Sequence, residues 1–332
     1  MQPTKTILMA AAFVGLAVTG AAAEWPEKPV TIIVPWSAGG STDQVTRVIA
    51  GELSEALGQE FVVVNQPGAS GSIGTKGAFD ADKDGYTWTA GAAQDLGSYG
   101  VLGMLETTIG DWNLFLDVAN VSVVGVGSDT PYEDFSQLVE AMKAEPGKIT
   151  VATAGISSAG HNAIEKIKNA AGVEYKHVTY DGGNPAVIST VSGETQLTTQ
   201  LAAEQAEMIR GGKIRPLAVL SDKALVLDGY GSIPPITDWI ADYKAVPNYF
   251  GIWTPKGVPD EVIAKMTEAW NSSISNSEKL KSYAANRGAQ FAPYSGDEAQ
   301  ARVLPAIQAF SWLMFDAGKA AVSPDELGIS RP

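Results

Sequence analysis

The chain has no cysteine and only two histidines, His161 and His177. Without cysteine it forms no disulfides or thiolate metal sites, and no lipid can be attached to an N-terminal cysteine. Neither histidine has a partner at metal-binding spacing, so no metal or cofactor is expected. The Gly-x-Ser-x-Gly elbow of many hydrolases is missing, because Gly155-Ile156-Ser157-Ser158 runs on into Ala159. There is no Walker loop and no Gly-x-Gly-x-x-Gly fingerprint. Positive charge is scarce: 23 Lys and Arg against 37 Asp and Glu leave a formal charge of −14. So acidic a surface argues against nucleic acid or an anionic membrane as partner. It does not forbid an anionic ligand, because local donors govern a site more than net charge does.

Long hydrophobic runs are also few. The main one, residues 7–18, follows Lys5 and precedes Ala21-Ala22-Ala23. It is about a dozen residues long, short of the roughly 20 that a spanning helix needs. It reads as a secretory signal cleaved between Ala23 and Glu24, which places the mature protein, soluble, in the periplasm. Losing Lys5 takes the formal charge to −15.

The rest of the chain is long enough for two lobes. Val30-Thr31-Ile32-Ile33-Val34 reads as a strand, followed by the loop Pro35-Trp36-Ser37-Ala38-Gly39-Gly40 and a helical stretch over 44–57. Ser41 and Gln44 stand at capping-box spacing, which predicts the helix start there. Further strands are predicted over 61–64 and 86–89, giving an α/β rhythm with parallel pairing. After an apolar, β-branched run at 121–127 the rhythm restarts. A helix is expected over 134–143 and a strand over 148–153, then the loop Ala154-Gly155-Ile156-Ser157-Ser158-Ala159-Gly160 and a helix from His161. A strand at 175–180 leads into Asp181-Gly182-Gly183, with Asn184 and Pro185 at the N-cap and first turn of another helix. Strands at 215–220 and 249–254 and helices at 259–273, 277–287 and 296–317 complete the reading. The expectation is a first lobe of 24–124 plus 251–332 and a second of 125–250.

Three of these helices begin at Gly/Ser-rich loops: Gly39-Gly40-Ser41, Gly155-Ile156-Ser157-Ser158 and Gly182-Gly183-Asn184. Singly, each is explained by ordinary capping. Together, flanking a two-lobe crevice, they point to a shared ligand, because open α/β sheets bind beyond the carboxyl ends of their strands. Helix N-termini supply unpaired N–H groups and a positive dipole end, which suit a carboxylate. No arginine lies in these loops, so backbone N–H groups and the hydroxyls of Ser37, Ser41, Ser157 or Ser158 would do the holding.

The order of motifs resembles one family, the substrate-binding proteins of tripartite tricarboxylate transporters, also called Bug receptors. It rests on Trp25-Pro26, Ile33-Val34-Pro35-Trp36 with Gly39-Gly40 and Asp43, Asn65-x-Pro67-Gly68-Ala69, and Asp84-Gly85-Tyr86-Thr87. It continues through Gly155-x-x-Ser158-x-x-His161, Tyr180-x-Gly182-x-x-Pro185-Ala186, Gly212-Lys213-Ile214-Arg215 and Trp253-x-Pro255-x-Gly257-x-Pro259. The resemblance implies a two-lobe, type II-like periplasmic binding fold with the ligand in the interlobe cleft. It implies a monomeric, non-enzymatic receptor for a small carboxylate or dicarboxylate, delivered to membrane permease subunits of a secondary transporter. By position, Trp36, Ser37, Ala38, Gly39, Gly40, Ser41 and Asp43 form one binding segment and Gly155, Ile156, Ser157 and Ser158 the other. Tyr180, Asp181 and Gly182 lie on the rim, with Gln94 and the segment from Gln200 to Glu204 as wall candidates. His161 is expected to support its loop, and Asp43 to serve the helix dipole unless the ligand carries an ammonium group. Ser37-Ala38 stands where members often carry proline and Ser157 where they often have glycine, so the ligand cannot simply be copied from the family. A ligand-sensing partner of a membrane signalling protein is the alternative, and a secreted hydrolase the third.

Overall fold

The computed structural model describes residues 24–332; the expected export segment lies outside them. The first lobe is built from β1 (Val30–Val34), α1 (Ser41–Leu57), β2 (Phe61–Asn65), α2 (Ser72–Asp80), β3 (Thr87–Ala92), α3 (Ala93–Val101) and β4 (Trp112–Asn120). The chain then enters a second sheet through β5 (Val123–Gly127), α4 (Phe135–Ala144), β6 (Thr150–Thr153), α5 (Ala159–Ala171) and β7 (Lys176–Thr179). That sheet is completed by α6 (Gly183–Val191), β8 (Leu197–Thr198), α7 (Ala202–Arg210) and β9 (Ile214–Val219). A hairpin of β10 (Leu225–Leu227) and β11 (Gly231–Ile233) precedes β12 (Asn248–Pro255), which rejoins the first sheet. The chain closes with α8 (Asp260–Ser272), α9 (Glu278–Arg287), β13 (Gln290–Phe291) and α10 (Gly296–Asp316).

The first sheet has the order β13-β4-β12-β3-β1-β2 and the second β7-β6-β8-β5-β9. In the first, β1 runs parallel to β2 and β3, while β12 runs antiparallel between β3 and β4. In the second, β6 runs parallel to β7 and β8. Parallel strands need crossover helices on the sheet faces, which buries the strands on both sides. This is why β1 is apolar at every position but Thr31.

Helix α1 shows how the sequence sets the packing. Val45, Ile49 and Leu53 recur every four residues and are fully buried with Val30, Ile32 and Val34 of β1. Each such side chain contributes about 1.5–3 kcal/mol by burial, so Ile49→Ala would cost about 2–5 kcal/mol. The helix stops at Gly58, whose φ of 70° lets its N–H return to Ser54 O. Helix α5 does the same at Gly172, after burying Ala163, Ile164 and Ile167 in the core of the second lobe.

Two local expectations need correction. Helix α1 does begin at Ser41, but its N-cap is Gly40 and no capping box forms. Ser41 Oγ has no partner, and the Gln44 side-chain amide donates back to Gly39 O at 2.6 Å. The orphan N–H of Ser41 is met instead by Glu204 of the second lobe, which sequence spacing does not register. Helix α6 begins at Gly183 with Gly182 as N-cap, so Asn184 lies inside the helix instead of capping it. The reason is close approach: a Cβ on Gly182 would lie 3.0 Å from the backbone N of Ser37 in the other lobe.

Candidate functional site

Strands β1, β3, β6 and β7 all point their carboxyl ends at the crevice between the lobes. The loops that follow them meet there, and a seam of hydrogen bonds crosses it. Ser37 donates to Asp181 O from both its backbone N (3.0 Å) and its Oγ (2.9 Å). The Ile156 N–H donates to Ser70 Oγ at 3.0 Å, and Ser157 Oγ donates to Ser70 O at 2.8 Å. Ala154 and Leu201 of the second lobe pack into the apolar cluster of Trp36, Ala92 and Phe250 of the first. The two lobes are therefore in direct contact.

Behind the seam lies a chamber lined by Trp36, Gly40, Ser41, Asp95, Ser158, Gln200 and Glu204, with a volume of about 30 Å³. That is room for one or two water-sized molecules, so a small acid fits only once the lobes part. Outside the seam, Ser37, Ser70, Gly155, Ile156, Tyr180 and Asp181 line an open groove of about 640 Å³. The seam thus divides the expected site residues into an inner set and an outer set. Gly155 has φ +119° and no room for a Cβ against Ser70, so only glycine lets this loop meet its partner.

Several side chains of these loops are already engaged. Asp43 accepts hydrogen bonds from the Gly39 N–H (2.9 Å) and Asn65 Nδ2 (2.9 Å), and its carboxylate lies 2.8 Å from Arg47 Nη2. Burial pushes its pKa up, but the hydrogen bonds from Arg47, Gly39 and Asn65 outweigh that and hold it below the usual range. Ser158 Oγ caps α5 by accepting from the His161 N–H at 3.3 Å, and donates to Gly155 O at 2.7 Å. His161 Nδ1 lies 2.7 Å from Ile156 O, and its ring stacks on His177 with centroids 4.4 Å apart. His161 braces its loop. Burial and the neighbouring His161 push the His177 pKa down to about 4.

Gln94 sits elsewhere. Its Oε1 accepts from Asn162 Nδ2 at 3.1 Å, a further bond across the lobes. With Asn120, Asn162 and Asn248 it lines a separate cavity of about 40 Å³. Another contact bridges the lobes at the middle of α5: Lys319 Nζ lies 2.7 Å from Glu165 Oε1. Burial raises the Glu165 pKa, but hydrogen bonds from His161, Lys319 and Tyr175 prevail and hold it well below the usual range. A larger cavity of about 870 Å³, lined by Phe135, Lys166, Trp239 and Tyr243 among others, shares none of the expected site residues.

Two residues of the crevice escape the motif reading. Ser70 directly follows the Asn65-x-Pro67-Gly68-Ala69 motif but is not part of it. Asp95 follows directly on β3, and the rule that ligands bind beyond strand carboxyl ends was the signal that could have found it. Among the described residues, no group of His, Cys, Asp and Glu could hold a metal ion.

Comparison with known proteins agrees with this geometry. The family described as "Tripartite tricarboxylate transporter family receptor" matches residues 45–308. The chain belongs to this receptor family. It is similar to protein BugT of Bordetella pertussis, at 26% identity over 96% of this chain and 99% of that one. Among solved structures it is similar to the periplasmic binding protein BugD, with 27% identity and a TM-score of 0.81 over 89% of this chain and 99% of that one. It is also similar to Rpa4515 of R. palustris, solved with adipate, at 26% identity and a TM-score of 0.77 over 89% and 99% of the two chains. The receptor of this family accordingly has the two-lobe fold of periplasmic binding proteins. Among the described residues no helix is long and apolar enough to cross a membrane.

Proposed function

We propose that this receptor works in the periplasm, captures a small carboxylate between its lobes and presents it to the permease subunits of a tripartite-type transporter. The observation that carries the reading is the convergence of the α1 and α5 N-termini, through Gly40-Ser41 and Ser158-Ala159, on one interlobe chamber. Helix N-termini with small residues bind carboxylates through backbone N–H groups without a guanidinium. The adipate in the related Rpa4515 supports an organic acid as the ligand class. Binding proceeds without turnover: the hydroxyls of Ser157 and Ser158 are tied to Ser70 O and Gly155 O, so neither is poised as a nucleophile.

The lobes are open while the ligand enters and close over it, making the seam of Ser37–Asp181 and Ser70–Ile156 the closed-state contact that a permease would recognise. Thermal-shift screening of the chain from Glu24 onward against a carboxylate library tests the reading. Stabilisation by one acid or a small set of acids is expected; a flat response across the library contradicts it.

A further inference from the structure

We propose that Glu204 and Asp95 form a subsite for a positively charged group, so that the captured acid is a zwitterion carrying an ammonium group as well as its carboxylate. The inference rests on the carboxylate-receptor reading above and narrows its ligand class. Both carboxylates line the same interlobe chamber as Trp36 and Ser158. Asp95 is 3% exposed and its Oδ1 has no hydrogen-bond partner; Ser41, fully buried and also in the chamber lining, has an unpartnered Oγ. Glu204 receives only two long backbone hydrogen bonds, from the N–H groups of Ser41 and Leu201, each at 3.3 Å.

No lysine, arginine or histidine lines this chamber. Neither Asp95 nor Glu204 takes part in an ion pair among the described residues. Buried carboxylates are normally paired with a cation, since removing them from water is otherwise costly. Asp95 is buried and Glu204 half-buried; burial alone raises the pKa of both, and a cation on the ligand would supply the counter-charge that the protein does not. A purely anionic ligand would instead bring its charge up against two carboxyls, which repels it. Asp43, the acid nearest the start of α1 in sequence, cannot serve, because Arg47 and Asn65 already hold it. Other residues of the same lining supply the other half of the recognition. Ser158 and Ala159, at the first turn of α5, face the same chamber and suit the ligand's carboxylate.

Calorimetric titration tests this with pairs of acids that share a skeleton and differ only in an amino or a hydroxyl group. The pairs span alanine with lactate, aspartate with malate, glutamate with 2-hydroxyglutarate, phenylalanine with phenyllactate, and 4-aminobutyrate with 4-hydroxybutyrate. At least one amino acid should bind about tenfold or more tightly than its hydroxy partner, as a charge-assisted hydrogen bond implies. Glu204→Gln, and separately Asp95→Asn, should shrink that preference, read as the ratio of the two affinities within the same variant. Both replacements are isosteric, and melting curves confirm that the variants fold. A hydroxy acid that binds as well as or better than its amino partner overturns the inference and leaves the receptor reading standing. An amino preference unchanged in both variants also overturns it. Failure of every acid to bind sinks both.

Discussion

Glu204 Oε1, on the first turn of α7, lies 3.3 Å from the backbone N–H of Ser41, the first residue of α1 in the other lobe. A carboxylate of one lobe thus occupies the helix N-terminus of the other and helps to hold the cleft shut. Burial pushes the Glu204 pKa up to about 7, so it is largely ionised at pH 8. A hydrogen bond to a charged group is worth about 1.5–3 kcal/mol, enough to shift an opening equilibrium roughly ten- to a hundredfold. Small-angle scattering of unliganded Glu204→Ala at pH 8 should show a larger radius of gyration than the parent. An unchanged profile would mean that the other cross-lobe contacts, among them Ser37–Asp181, Ser70–Ile156 and Lys319–Glu165, suffice to hold the lobes together.

Gly183 provides a sharper test of the same contact. A Cβ built there would collide with the Glu204 carboxylate, although the backbone at this helical position is unstrained. Both residues belong to the second lobe and line the chamber. Gly183→Ala should therefore push the flexible Glu204 carboxylate off the Ser41 N–H, place a methyl in the chamber wall and weaken ligand binding about tenfold or more. In a Glu204→Ala background the displaced group is gone, so the added Gly183→Ala should cost much less than it does alone. A double-mutant cycle in which the two changes simply add would refute direct contact.

Stability should fall as pH rises from 6.5 to 8. Burial raises the pKa of Glu204 to about 7 and that of Asp117 to about 8. In this window the folded protein keeps protons that the unfolded chain has released, so raising the pH favours unfolding, by up to about 1.4 kcal/mol per pH unit for each such group. His177, held down to about 4 by burial, works in the opposite sense, but only below its ordinary 6.5. Asp117 is fully buried in β4 with both side-chain oxygens unpartnered, so Asp117→Asn should flatten the slope. Denaturant midpoints measured across the window decide it; equal slopes in parent and variant would show that Asp117 is already ionised in the folded protein.

Much of this fold was legible because parallel α/β units announce themselves: apolar runs such as Val30–Val34 and Gly-terminated helices such as α1 and α5. Strand β4 was not legible. Asn113, Asp117 and Asn120 interrupt its apolar residues, yet almost all of it is buried between β12 and β13. Tertiary burial there overrides a local pattern that reads as a loop. At the crevice, the loops of Gly39-Gly40 and Gly155–Ser158 were visible through their glycines and hydroxyls. The cross-lobe partners were not, because Ser70 with Ile156, or Ser41 with Glu204, are neighbours only after both lobes have folded and met.

Trp36 lines the chamber and is 7% exposed. Opening and closing change its surroundings, so saturating ligand should shift the intrinsic fluorescence. With 8 tryptophans in the chain the signal is mixed, and the comparison with Trp36→Phe carries the test. The shift should shrink in that variant; an identical response would remove Trp36 from the moving part of the cleft.

The central claim is that a small organic acid binds in the chamber between the Gly40-Ser41 and Ser158-Ala159 loops. Isothermal titration of the chain from Glu24 onward, with the acid that most raises its melting temperature, tests this most directly when run beside Gly183→Ala. The account predicts saturable one-to-one binding that weakens about tenfold or more in the variant. Equal affinity in the two proteins, or no saturable heat with any acid, would contradict it.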